Sequence, residues 1–132
     1  MSNMVSNLIF IYRPPNRFMY EGNYHSEATV IPHADYIVEY LKEEIERASS
    51  VNPEKNLTIG IGIVGEASVG IRLAREASKR KELSDMLSTR EIEIELREHA
   101  NKFPNVKLVS INTGPCHICK RPIVVFGNYS WN

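Results

Sequence analysis

The chain has 132 residues and a mass of 15.1 kDa, enough for one domain with a core of its own. Apolar residues make up 42% and charged residues 24%, ordinary globular usage that excludes extended disorder. Sixteen basic residues balance sixteen acidic ones, which excludes a global field drawing the chain to DNA or an anionic membrane, and no apolar run approaches the length of a bilayer span.

Met1-Ser2-Asn3 opens without the basic and apolar regions of a signal peptide, so residues 1–132 read as a single intracellular, cytoplasmic domain with no membrane partner. Gln is absent, Glu outnumbers Asp fourteen to two, and there are fourteen Ile, a skew towards proteins of hot environments. Eleven Asn residues pull the other way.

The β-branched and aromatic run Val5–Tyr12, stopped by Pro14-Pro15, predicts a strand. Asn16–Pro32 follows as a long connection. Ile37, Leu41, Ile45 and Ala48, spaced four, four and three, predict a helix over about Ala34–Ser49. Leu57–Val64 alternates as a strand, with Leu57, Ile59, Ile61 and Ile63 on one face and Gly60 and Gly62 on the other. A helix is expected from Ser68 to about Leu87. The next segment has capping-box spacing at Ser88 and Glu91 and an inward stripe of Ile92, Leu96, His99 and Phe103, which favours a helix. Its Glu91–Leu96 portion also alternates like a strand. Val106–Ile111 and Ile123–Phe126 read as strands flanking a turn that begins at Thr113-Gly114-Pro115. The expected fold is α/β, a small mixed sheet of about four strands covered by about three helices, with a C-terminal antiparallel hairpin.

The two cysteines lie three apart in Pro115-Cys116-His117-Ile118-Cys119-Lys120-Arg121-Pro122. Two thiolates at that spacing can share one Zn²⁺, each at about 2.3 Å. The segment resembles the knuckle of zinc-ribbon and treble-clef proteins. A full site needs four ligands; His33 and His25 are in-chain candidates, and a homodimer pooling Cys116 and Cys119 from two chains is the other solution. Plain thiols, or a dithiol switch, are the readings without metal.

Gly60, Gly62 and Gly65 match G-x-G-x-x-G and resemble the dinucleotide-binding fingerprint, which implies a phosphate ligand at the following helix. The other reading is packing: Gly60 and Gly62 admit a close helix, and Gly65 makes the turn. Arg72, Arg75 and Lys79, spaced three and four, form a basic stripe. With Lys120 and Arg121 they are candidate nucleic-acid contacts, or else a solvated helix face. His117 and Lys120 followed by Gly127-Asn128-Tyr129-Ser130 resemble the phospholipase D nuclease signature, with altered spacing and order.

The knuckle, the missing Gln and the lack of a complete enzyme signature together resemble small orphan proteins of hyperthermophilic archaeal viruses. That resemblance implies a host-cell cytoplasmic setting. The leading expectation is a binding protein with a zinc-knuckle-like hairpin and nucleic acid or protein as partner. The alternative is a degenerate phospholipase D-like nuclease, or a nucleotide-binding enzyme using Gly60–Gly65.

Overall fold

A computed structural model describes residues 6–12, 35–65, 67–114 and 124–132. Four strands form one mixed sheet: β1 (Ser6–Tyr12), β2 (Leu57–Val64), β3 (Val106–Thr113) and β4 (Val124–Trp131), in the spatial order β1-β4-β2-β3. Three helices cover it: α1 (Asp35–Ser49), α2 (Gly70–Ala77) and α3 (Leu87–Ala100). β2 and β3 are parallel, and β4 is antiparallel to both β2 and β1. β3 and β4 therefore run in opposite directions, as the arms of a hairpin do, but β2 lies between them and takes the hydrogen bonds of both.

The alternation of β2 separates the two faces. Leu57, Ile59, Ile61 and Ile63 are buried with the α1 stripe Ile37, Leu41 and Ile45 and with Ile92 and Leu96 of α3. Burying each such side chain contributes about 1.5–3 kcal/mol. On the opposite face, Gly60 and Gly62 lie under α2. A methyl group on Gly60 would run into the Ala74 carbonyl oxygen and come within 2.7 Å of the Ser78 nitrogen. One on Gly62 would sit 2.7 Å from the Gly70 carbonyl oxygen. The packing reading of these two glycines is the one the geometry supports: the α2 backbone fills the space above both.

Three local expectations shift. α3 is a helix throughout, but its N-cap is Met86 with no side-chain cap bond, and Ser88 falls inside the first turn. β4 runs on through Gly127 to Trp131, so Gly127, Asn128 and Ser130 are strand residues between β1 and β2, not the phosphate-clamping turn of a nuclease. α2 ends at Ala77, far short of Leu87. The chain must pass from the α2 face to the α3 face, and residues 78–86 make that passage around the outer edge of β3. Among the contacts that hold it there, Ser110 Oγ donates to the Arg80 carbonyl at 2.7 Å, Arg97 Nη1 to the Lys81 carbonyl at 3.0 Å, and Arg90 Nε to the Ser84 carbonyl at 2.9 Å.

No helix among the described residues is long and apolar enough to cross a membrane.

Candidate functional site

All three helices begin at the same end of the sheet. Tyr40, near the start of α1, stacks on Tyr12 at the end of β1 with ring centroids 3.8 Å apart, and Ser49 at the other end accepts from Asn105 just before β3. Gly70 of α2 lies over Gly62 while Ser78 lies over Gly60, and Thr89 of α3 meets Thr113 while Arg97 meets Val109. This is the end where parallel strands finish, where α/β sheets bind ligands. The register aligns Tyr12 with Val125, Val125 with Ile63, and Ile63 with Thr113. The chain therefore leaves the described structure after Tyr12 and after Gly114, and re-enters at Asp35 and Val124, all at this one end.

The sequence between those points carries the metal-ligand candidates. Cys116, Cys119, His25 and His33, together with Lys120 and Arg121, lie outside the described residues. Among the described residues no group of three or more His, Cys, Asp or Glu side chains could hold a metal ion. The homodimer expected through Cys116 and Cys119 is corrected: no cysteines come together among the described residues, and nothing there forms the shared site that such a dimer requires.

Gly65 is buried in a bend after β2, and a short 3₁₀ turn, Ala67–Val69, intervenes before α2 begins at Gly70. The basic stripe is intact. Arg72, Arg75 and Lys79 are all exposed along the outer side of α2 and its end. Arg72 makes an ion pair with Glu76 at 3.4 Å, an exposed contact of little strength.

Compared with protein-family models, curated protein sequences and solved structures, the chain matches none.

Two polar clusters escaped the sequence reading. The first closes the free edge of β3. Glu93 of α3 is fully buried; its Oε2 accepts from the Ile111 main-chain N–H at 2.7 Å and from Arg80 Nη2 at 2.7 Å, and its Oε1 accepts from the Ser84 N–H at 2.6 Å. Arg80 also donates to the Ile111 carbonyl at 2.5 Å, and Arg97 Nε to the Val109 carbonyl at 2.7 Å. A bulge between the Leu57 and Thr58 pairings leaves Lys107 out of register lower on the same edge. Charged side chains thus satisfy the main-chain groups that would otherwise recruit another strand. The signal for Glu93 was its place in the stripe Thr89, Glu93, Leu96 and Ala100, spaced four, three and four, all of which are buried.

The second cluster joins β4 to α1. The Tyr129 hydroxyl donates to Glu44, which also holds Arg47. Burial, followed by the Glu44 carboxylate, raises the Tyr129 pKa well above its usual value. Tyr40 is pushed up to about 12 by the same two causes in the same order. The folded state therefore keeps both phenols protonated at a pH where the unfolded chain has ionised them. Their contribution is complete below pH 10, about the unfolded tyrosine value, and is lost as the pH rises towards 12. Tyrosinate absorbance at 295 nm followed beside circular dichroism is expected to show part of the tyrosine signal appearing only as the fold is lost. A Tyr40→Phe/Tyr129→Phe variant is expected to abolish that late component. If all tyrosines titrate near pH 10 with the fold intact, this account of the cluster fails.

Proposed function

We propose that this protein is a small, non-enzymatic binding module of the cytoplasm, of a host cell if the chain is viral. In this reading the Cys116–Cys119 turn holds a zinc ion at the carboxyl end of the sheet, and His33 or His25 supplies further coordination. The observation that carries it is the convergence of chain ends. Cys116 follows Gly114, and His33 precedes Asp35, by two residues each. Two residues of extended chain span at most about 7 Å. Gly114 is fixed beside β2, its N–H donating to the Ile63 carbonyl at 3.0 Å, and Asp35 opens the helix whose Tyr40 stacks on Tyr12. Both tethers thus start from the same end of the molecule, as one shared ion demands. The reducing cytoplasm suits thiolate ligands over a disulfide. The ion would tie the connection into β4 to the start of α1, stiffening the end of the fold offered to a partner.

Native mass spectrometry of the full chain, purified without chelator, is expected to show one zinc per chain, lost in Cys116→Ser and in Cys119→Ser. Chelation is expected to lower the melting temperature by roughly 10 °C, because an ion present at a hundred times its Kd contributes about 2.7 kcal/mol. Metal-free protein with two freely alkylated thiols would overturn the reading, as would one ion per two chains.

A further inference from the structure

Among the described residues, the cations differ in how their charge is met. Arg80, Arg90 and Arg97 spend their donors on main-chain carbonyls around β3, while Lys42 and Arg47 are paired with Glu95 and Glu44. Arg72, Arg75 and Lys79 are not held in this way; Lys55, Lys81 and Lys102 also lack an acidic partner among the described residues, but the first three stand together at helical spacing. All three are exposed, Arg72 has only its long pair with Glu76, and Arg75 and Lys79 have no acidic partner among the described residues. Arg72 and Arg75 stand on the outer side of a helix that Gly60 and Gly62 let settle directly on the sheet, and Lys79 follows in the turn just past its end, so the stripe is presented to solvent on a rigid support.

We propose that the outer face of α2 is a nucleic-acid interface, gripping the phosphate backbone through Arg72, Arg75 and Lys79 without reading bases. It rests on the reading of the protein as a binding module and names that module's partner and surface. From Arg72 to Lys79 the chain advances about 10 Å along a helix axis. Duplex DNA carries one charge per 1.7 Å, so that length faces roughly six phosphates, more than enough for three cations. Charge complementarity selects a polyanion. A lipid surface fits less well, because a helix lying on a membrane must bury an apolar face. The apolar residues of α2, Ile71 and Leu73, already pack into the cluster with Val64, Val124 and Phe126, and none of the exposed large hydrophobic residues lies on α2. The other face of the molecule is less suited to phosphate: an open groove of about 570 Å³ there sets Glu91, Glu95 and Glu98 beside Lys42 and Lys102, and Lys42 is already paired with Glu95.

The test is fluorescence anisotropy of the full chain with a labelled 20-base-pair duplex and a labelled 20-nucleotide single strand, between about 50 and 200 mM NaCl. Three phosphate contacts imply a slope of log K against log salt of about −2.7 on the duplex. The variant Arg72→Ala/Arg75→Ala/Lys79→Ala is expected to bind at least tenfold more weakly at about 50 mM, with the slope near zero, while Lys55→Ala/Lys102→Ala keeps both affinity and slope. Should the triple variant misfold by circular dichroism, Arg75→Glu alone is expected to lower the affinity several-fold. No binding of either nucleic acid by the natural chain would overturn the proposal. So would equal weakening in the Lys55/Lys102 control, or tighter binding to phosphatidylserine vesicles than to nucleic acid. Zinc content read by native mass spectrometry on the same sample separates the two readings: salt-dependent binding by zinc-free protein supports this surface while removing the metal.

Discussion

Replacing Glu93 by alanine is expected to cost about 3–5 kcal/mol, the range found when one partner of a buried ion pair is deleted. In a chain of this size that lowers the melting temperature by roughly 10–20 °C. The cost has three sources. The Arg80 guanidinium loses the carboxylate opposite it, and the main-chain N–H groups of Ile111 and Ser84 lose their acceptor. Each unsatisfied buried donor costs about 1–3 kcal/mol, so the sum reaches the upper part of that range. Glu93→Gln is expected to recover only part of the loss, since its amide keeps one acceptor and turns an NH2 donor towards whichever of the Ser84 N–H or the Ile111 N–H and Arg80 faced the replaced oxygen. Glu93→Leu/Arg80→Met removes the stranded charge but still leaves two N–H groups unpaired, and so should fall between the single variant and the natural chain. A second consequence follows at the sheet edge. With the Ile111 main chain uncovered, β3 becomes a template for another strand, and Glu93→Ala is expected to self-associate on mild heating, read by light scattering. Urea denaturation placing Glu93→Ala within about 1 kcal/mol of the natural chain would refute this account.

Gly60→Ala is expected to have the next largest effect, about 3 kcal/mol or more. Overpacking a core typically costs about 1–3 kcal/mol when side chains can give way. Here they cannot, because the added methyl meets the backbone of α2 at Ala74 and Ser78, and the whole helix must lift. Lifting α2 would also strain the Asn112 amide bond to the Leu73 carbonyl, now 3.0 Å, and loosen the Phe126 ring packed against Gly70. Gly127→Ala provides the comparison. The atoms nearest its methyl all belong to the ring of Phe10, a partly buried side chain on the edge strand β1 and not helix backbone, so a smaller loss is expected there. Thermal denaturation of the two variants side by side decides the matter; equal losses would mean that α2 is not held by this contact.

The parts of the fold that depend on neighbours close in sequence were legible in the chain. The α1 stripe of Ile37, Leu41, Ile45 and Ala48 is buried throughout, and β2 occupies Leu57–Val64 as its alternation implied. Hydrophobic periodicity works at these positions because every residue on the inward face is apolar. The choice between helix and strand for residues 91–96 was settled by tertiary packing. A helix brings Ile92 and Leu96 into the core and turns Glu93 to the edge of β3, where a strand would have placed Glu93 on the face opposite both.

The candidate site divides along the same line. The basic stripe on α2 was readable, since spacings of three and four define one side of any helix. The glycine run was read as a motif with two meanings, and the tertiary structure supplies the packing one by setting α2 on Gly60 and Gly62. Residue types and spacing by themselves determined an α/β domain, its helical and strand periods, and a cysteine pair at metal-ligand spacing. Only the tertiary structure decided that β4 enters between β1 and β2, that α2 stops at Ala77, and that Glu93 turns inward. Each of these depends on partners far along the chain: the main-chain groups of β3 for Arg80 and Glu93, and the open edges of β1 and β2 for β4. No local pattern encodes an unpaired N–H eighteen residues away.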